Sequence, residues 1–253
     1  MNFIKRIVIG IPLISILFLS IIFYPSLYLR HRFEYRNLCV YSDKPLPENA
    51  CIVLAEVHEL IKGSDFYVPN LKIKIFIRDN FKNYSWIPWQ FPTSGYGQAI
   101  PIIENIFIGN ADFQSNQAYH PNSKKSRTLS KVLAHEIIHI LIFHHSYKSW
   151  CLHLFNKLKW SSVGLLWKEE GYAEYIAKEW IPDRTNNMLS GASDLSAFGK
   201  EYYSYWIAVK HLLEDKEMTI DQILNSNIDL EELLSELRIC RPEHLQSRKP
   251  FND

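Results

Sequence analysis

The chain contains a largely apolar run from Leu129 to Phe143, and the middle of this run carries three ionisable side chains: His135, Glu136 and His139. The apolar positions recur with helical spacing, so the run predicts a buried α-helix. Burying two imidazoles and a carboxylate in such a helix costs free energy unless they are paired or bind a metal ion. The fold therefore has to supply partners for the polar side of this helix.

The two histidines lie four positions apart, which corresponds to about 400° of rotation along an α-helix. Both imidazoles then project from one face, one turn apart, and can share one tetrahedral metal ion. Glu136 follows the first histidine directly and can act as general base on a metal-activated water. The pattern His135-Glu136-Ile137-Ile138-His139 thus favours a site for one Zn²⁺ ion. The alternative interpretation is a pair of core histidines with ordinary hydrogen-bond partners.

A third metal ligand can come from two places in the sequence. His145 follows His139 at a spacing that would require the helix to end at Ile142, and a β-branched residue resists the positive φ of such an ending. The segment 167–175 opens a later helix and contains three glutamates. We favour a carboxylate from that segment, and we interpret His144 and His145 as helix-end residues that stabilise the negative helix terminus.

The amino terminus carries an uncharged run from Ile7 to Leu29, with basic residues on both sides. A helix needs about 20 apolar residues to cross a bilayer, whereas a cleaved signal peptide has a shorter apolar core and a small-residue cleavage site. We therefore predict an uncleaved anchor, and a single-pass membrane protein that contacts the lipid bilayer through residues 7–29. The alternative is a signal peptide that is cleaved at an unusual site.

The cysteines indicate on which side of the membrane the domain after the anchor lies. The positive-inside rule gives no direction, because basic residues flank both ends of the run. Cys39 and Cys51 lie close enough in sequence to close a disulfide loop, and disulfides persist outside the reducing cytosol. We therefore expect an extracytoplasmic domain, whereas free thiols would fit a cytoplasmic one.

The composition is that of an ordinary globular protein. Hydrophobic residues make up 47% of the chain and charged residues 22%, which excludes wholesale disorder. The net charge is only +1, and binding to phosphates needs a basic surplus. We therefore expect no nucleic acid as a partner.

The remaining periodicities predict an α+β fold. Glu48–Lys62 has helical spacing, the alternation of Leu71–Arg78 predicts a half-buried strand, and Ile102–Ile108 predicts a second strand. Residues 116–126 are polar and are interpreted as an exposed loop. Helical patterns dominate after residue 129, so a small sheet precedes a helical carboxy-terminal half.

These elements give three parts of the chain. Residues 1–30 form the anchor, residues 31–47 a connector and residues 48–253 one domain. An aromatic segment at 84–96 precedes the second predicted strand and is interpreted either as a substrate or lid element or as a loop that packs on the core or rests against lipid headgroups.

The sequence resembles the gluzincin superfamily of zinc metallopeptidases. The resemblance lies in the histidine pattern and in a later pattern, Trp167-x-x-Glu170-Gly171-x-Ala173-x-Tyr175. In gluzincins this later pattern carries the third zinc ligand, so the resemblance implies that His135, His139 and Glu170 hold the ion. It makes Glu169 the fallback ligand and places Glu174 where it would orient a histidine. The implied fold is a zincin-like one over roughly residues 48–215, by order of elements alone.

The resemblance also implies a reaction. It suggests a membrane-anchored peptidase that cleaves a peptide or protein substrate, with Glu136 as general base. Zincins pair an extended substrate with the edge strand of the sheet, and here the expected edge is Ile102–Ile108. Gluzincins often use a Tyr or His of a later helix to stabilise the oxyanion; Tyr202 matches best, with Tyr203 and Tyr205 as alternatives. The competing hypothesis is a catalytically inactive, peptidase-like binding or scaffold protein at the membrane.

Overall fold

The computed structural model describes most of the central chain, namely residues 26, 29–77, 95–120, 125–146, 163–178 and 197–239. The chain divides into two compact units, one of residues 1–59 and 68–140 and the other of residues 60–67 and 141–253. The predicted anchor lies almost entirely outside the described residues, as does most of the aromatic segment 84–96. Within the described part of the chain, no helix is both long and apolar enough to cross a membrane.

A five-stranded sheet with the order β1-β2-β3-β5-β4 forms the basis of the first unit. Its strands are β1 (His31–Tyr35), β2 (Leu38–Ser42), β3 (Ile73–Ile77), β4 (Gly97–Ile100) and β5 (Asn105–Ile108). The three inner strands are parallel, and the outer strands β1 and β4 are antiparallel to their neighbours. Helix α1 (Ala50–Ile61), which the sequence predicted, makes the crossover between the parallel strands β2 and β3.

Both faces of this sheet are apolar at its centre. In the register of β3 and β5, Ile75 lies beside Ile106 and Phe76 beside Phe107. Successive side chains point to opposite faces, and all four of these side chains are fully buried. Strand β3 is therefore a central strand buried on both faces, and the prediction of a half-buried strand was wrong about its surroundings.

The segment interpreted as a connector contains β1 and β2, and these strands form a hairpin with Arg36 at positive φ in its turn. Part of the polar segment expected as an exposed loop also forms strands. A second sheet with the order β6-β7-β8 consists of β6 (Ala111–Asp112), β7 (Gln117–Tyr119) and β8 (Ser126–Thr128). All of these strands have five residues or fewer, which is too short for alternation to stand out in the sequence.

The strand expected at the edge of the sheet lies inside it. Strand β5 pairs with β3 on one side and with β4 on the other, and residues 101–103 form a 3₁₀ turn. The edge at this side is β4, so the prediction that Ile102–Ile108 forms the edge was wrong. The physical reason is that an apolar pattern reports burial, whereas the order of strands depends on tertiary pairing.

The long apolar helix is present as predicted. Helix α2 (Leu129–Ser146) continues without a break through Ile142, and most of its side chains are buried. Asn116 caps its beginning, since the side-chain oxygen of Asn116 accepts from the backbone N–H of Ser130 at 3.0 Å. The division between the two units falls within this helix.

Helices form the described part of the second unit: α3 (Val163–Ala177), α4 (Ala197–Glu214), α5 (Ile220–Asn225) and α6 (Leu230–Ile239). Helix α5 begins with a capping box, in which Thr219 and Gln222 exchange hydrogen bonds. Asp229 caps α6 by accepting from the backbone N–H of Glu232 at 3.0 Å. With its small sheets and these helices the chain is α+β, as the sequence predicted.

The two described cysteines are free thiols. Cys39 is buried on β2, where its Sγ donates to Glu34 Oε1 at 3.1 Å and accepts from Arg32 Nε at 3.4 Å. Cys51 is exposed on α1, and its Sγ donates to the carbonyl oxygen of Glu48 at 3.2 Å. The disulfide hypothesis is therefore wrong, and it gives no support to an extracytoplasmic location.

Candidate metal centre

Helix α2 brings two imidazole nitrogens together. His135 Nε2 and His139 Nε2 lie 3.2 Å apart, with the ring planes at 77°. Two nitrogens bound at about 2.0–2.1 Å to one tetrahedral zinc ion would be separated by roughly 3.3 Å. A hydrogen bond between the rings would occupy the same distance, but it would need a proton on one of the two nitrogens. The distance between the two nitrogens therefore fits a shared metal ion.

A carboxylate joins this pair. One ligand atom each of His135, His139 and Glu170 lie within 4.8 Å of one another, so these three side chains could hold a metal ion. Two imidazole nitrogens and one carboxylate oxygen make a donor set that suits zinc, and they leave a fourth position for water or substrate. Among the described residues, Glu170 and not the neighbouring Glu169 supplies the carboxylate of this group.

The proposed general base lies against the edge strand of the sheet. Glu136 is buried on α2. A Cβ atom added to Gly97, the first residue of β4, would lie 3.2 Å from both Cγ and Oε1 of Glu136. The absence of a side chain at Gly97 thus lets the carboxylate reach the backbone of the edge strand. A polypeptide paired with β4 would pass beside this carboxylate.

His145 has other contacts. Because α2 does not break at Ile142, His145 is rotated by about 240° around the helix from His139. Its ring stacks on Phe66 with centroids 4.3 Å apart, and its Nε2 lies 3.1 Å from Asp221 Oδ1. The structure therefore places His144 and His145 in the last turn of the helix, as the sequence analysis interpreted them.

A tyrosine of α4 lies near Glu170. Tyr205 is buried, and its hydroxyl donates to Glu201. Burial raises the pKa of Tyr205, the hydrogen bond and charge of Glu201 raise it further, and the charge of Glu170 adds to the effect. Tyr205 is therefore close enough for the charge of Glu170 to act on its hydroxyl. The ring of Tyr202 lies next to it, with centroids 6.0 Å apart.

Two contacts fix the position of helix α3, which carries Glu170. A Cβ atom added to Gly171 would lie 2.8 Å from the carbonyl carbon of Tyr205, so the two backbones approach closely at this point. Lys168 is buried, and its Nζ donates to the carbonyl oxygen of Ser226 at 2.6 Å and to Ser226 Oγ at 3.1 Å. Burial lowers the pKa of this amine.

Sequence reasoning missed Gly97 and gave Tyr205 no distinct place among three tyrosines. The available signal for Gly97 was an isolated glycine after an aromatic segment, which often marks a close backbone approach. No signal in the sequence separates Tyr205 from Tyr202, because both lie on one helix and Glu170, which acts on Tyr205, comes from another helix.

Two comparisons with known proteins found no match. No protein-family model matches the chain, and a search of curated proteins found no significant match.

Proposed function

We propose that this chain is a zinc-dependent peptidase. In this proposal His135, His139 and Glu170 hold one Zn²⁺ ion and Glu136 is the general base. The observation that carries the proposal is the convergence of two imidazole nitrogens and one carboxylate oxygen within 4.8 Å. Glu136 also lies beside the edge strand, where a substrate polypeptide would bind. The resemblance to gluzincins gives the same assignment of ligands and base.

The protein's own residues have distinct parts in the proposed reaction. A bound zinc ion would supply a Lewis acid and a water whose pKa is lowered towards about 7. Glu136 takes the proton of the attacking water and delivers it to the leaving amine. The N–H and C=O groups on the outer side of β4, which pair with no other described strand, hold the extended substrate by β-sheet hydrogen bonds.

A phenol of α4 is proposed to donate to the negative charge that develops on the substrate oxygen. The hydroxyl of Tyr205 already donates to Glu201. We assign Tyr205 to the surroundings of Glu170. We keep Tyr202, which matches the gluzincin pattern best and lies one turn earlier on the same helix, as the donor.

We also propose that the uncharged run from Ile7 to Leu29 anchors the protein in a membrane. The length of this run supports the proposal, because about 20 apolar residues suffice to cross the hydrocarbon core. The peptidase would then act on a peptide or protein substrate while bound to a bilayer.

Metal analysis of purified variants tests the ligand assignment. The wild-type chain should contain one equivalent of zinc, and His139→Ala and Glu170→Ala should lose it. His145→Ala and Glu169→Ala are matched controls that remove a similar side chain from the same helices and should retain zinc. Retention of zinc in Glu170→Ala together with its loss in Glu169→Ala would contradict the assignment.

Hydrolysis of an unstructured polypeptide tests the reaction. Glu136→Gln should retain zinc and lose activity by a factor of about 100 or more, because the amide cannot accept the proton. Full activity in this variant would overturn the role of Glu136. A wild-type protein that binds zinc but cleaves none of a panel of unstructured polypeptides would favour the inactive binding protein instead.

A further inference from the structure

The uncharged amino-terminal run ends inside the core of the sheet. Leu29, its last residue, is only 8% exposed and packs against the fully buried rings of Phe76 and Phe107. Tyr41, Ile100 and Ile103 are partly buried and pack on the same cluster. The end of the proposed anchor is therefore part of the sheet's own hydrophobic core.

Very little chain lies between this cluster and the first strand. Strand β1 begins at His31, two residues after Leu29, and two residues span at most about 7 Å. The segment that the sequence analysis treated as a connector is itself the hairpin of β1 and β2. The described residues therefore contain no flexible tether between residue 29 and the sheet.

The surface next to Leu29 carries apolar and basic side chains. Ile102 lies in the turn between Ile100 and Ile103, and it is 55% exposed. Arg30 is exposed, whereas the guanidinium of Arg32 lies over the ring of Tyr41 at 5.9 Å and pairs with Glu34. Apolar side chains with an amphipathic tyrosine and a flanking arginine are typical of protein surfaces at the lipid headgroups. We call the half-buried Tyr41, Ile100 and Ile103, which pack on the buried Leu29 cluster, and the exposed Ile102 the Leu29 patch.

We propose that the Leu29 patch rests on the same bilayer that contains residues 7–28, so that the sheet is held directly at the membrane surface. The apolar run is long enough to cross a bilayer, and it ends at Leu29, on which the patch packs. The bilayer is therefore the proposed occupant of the patch. Arg30 adds positive charge that lipid phosphates attract, whereas the charge of Arg32 is paired with Glu34.

The proposed substrate class follows from the course of β4, and this step rests on the proposed peptidase function. Strand β4 begins at Gly97, beside Glu136, and ends at Ile100, within the Leu29 patch. Three steps along a strand span about 10 Å. The peptidase would therefore cleave polypeptides that are themselves held at the bilayer, at a bond roughly three to five residues from its surface.

Fluorescence quenching by brominated lipids tests the docking without any catalysis. The full chain is placed in zwitterionic lipid vesicles, in a background with Cys51, Cys151 and Cys240 changed to Ser. A fluorophore is attached in the variant Ile102→Cys. The matched control is Ile52→Cys on α1, where the side chain is also exposed, at 67%. Lipid quenching should be several-fold stronger at position 102, and equal quenching at the two positions would overturn the docking.

Substrate spacing tests the second half of the proposal. Vesicle-tethered peptides carry one cleavable segment behind spacers of increasing length. Wild-type protein should cleave the short-spacer peptides fastest, and a flexible Gly-Ser insertion after Tyr28 should remove this preference. An unchanged preference in the insertion variant would overturn the direct coupling. If the proposed peptidase function is wrong, no peptide would be cleaved, but the difference in lipid quenching between positions 102 and 52 would remain.

Discussion

Gly171 occupies a position where helix α3 meets the backbone of α4. A methyl group at this position would lie 2.6 Å from Val209 Cγ2 and 2.8 Å from the carbonyl carbon of Tyr205. The side chain of Val209 can move, but a backbone carbonyl in the middle of a helix cannot move without shifting the helix. The glycine next to Glu170 is therefore a packing requirement.

The variant Gly171→Ala should show which of two effects is larger. Helix propensity alone predicts that alanine stabilises the protein by about 1 kcal/mol. The collision with α4 predicts a loss of about 1–3 kcal/mol of unfolding free energy, which should dominate because backbone atoms are involved. Denaturant unfolding measures the sign. An increase in stability would show that the two helices are not in close contact at this residue.

At the residue scale, the sequence could predict what helix geometry alone determines. The convergence of His135 and His139 follows from a spacing of four on one helix, and the structure has this geometry. The continuation of α2 through Ile142, which directs His145 elsewhere, follows from the same local rules. The approach of Gly97 to Glu136 joins positions far apart in sequence, and no local pattern encodes such a contact.

Strand β4 is the edge strand of the sheet, and its first residue lies beside the proposed base Glu136. Gly97 and Ala99 lie on the same face of this strand, because side chains alternate along it. A methyl group at Gly97 would lie 2.5 Å from Cδ1 of Ile108, a side-chain end that can move, and 3.2 Å from Cγ and Oε1 of Glu136, so the carboxylate would be displaced by a few tenths of an ångström. The strand can therefore be tested separately from the metal ligands.

Gly97→Ala should lower hydrolysis about tenfold and leave the zinc content unchanged, because small displacements of a catalytic group are costly. Peptide cleavage and metal analysis of the same preparation measure the two quantities. Ala99→Gly is the matched control, because it alters the same face of β4 two residues away from Gly97. If both variants lose activity equally, the effect belongs to the strand and not to the contact with Glu136.

At the element scale, the sequence predicted helices better than strands. The helices extend over many turns, so their period is well sampled, and the capping residues Thr219 and Asp229 mark two beginnings. The hairpin of β1 and β2 was missed because its strands have five residues each and β2 is largely buried on both faces. The identity of the edge strand was mispredicted because pairing order is a tertiary property.

The second unit has a titratable contact that affects its stability as a whole. The hydroxyl of Tyr175 on α3 donates to Glu214 Oε1 on α4 at 3.2 Å. Burial raises the pKa of Tyr175, and the charge and hydrogen bond of Glu214 raise it further. A raised pKa in the folded state means that the stabilisation is fully present below the unfolded value of about 10 and is lost as the pH rises through the folded value.

The unfolding free energy should accordingly fall above about pH 10. The fall should be smaller in Tyr175→Phe, which cannot ionise. It should not vanish, because burial also raises the pKa of Tyr172 and of Tyr205. Denaturant titrations between about pH 8 and about pH 11 measure this dependence. A variant that loses stability as steeply as the wild type would exclude Tyr175 as a contributor.

At the scale of the whole molecule, composition and the order of periodic segments were enough to predict an α+β chain. They could not predict that the end of the amino-terminal run is buried, because the burial of Leu29 depends on Phe76 and Phe107, which come from two separate strands. A flexible connector and the first short strand of a sheet can have the same mixture of polar and apolar residues.

The direction of β4 has a consequence for which end of a proposed substrate would be embedded in lipid. A polypeptide that pairs antiparallel with β4 would run from the Ile100 end towards the Gly97 end, since the strand itself runs the other way. In the proposed arrangement its amino-terminal side would emerge from the bilayer, and its carboxy-terminal side would leave past Glu136. Such a cut would release proteins that are anchored by an amino-terminal segment from the membrane. Tail-anchored proteins would present their backbone to β4 in the opposite direction.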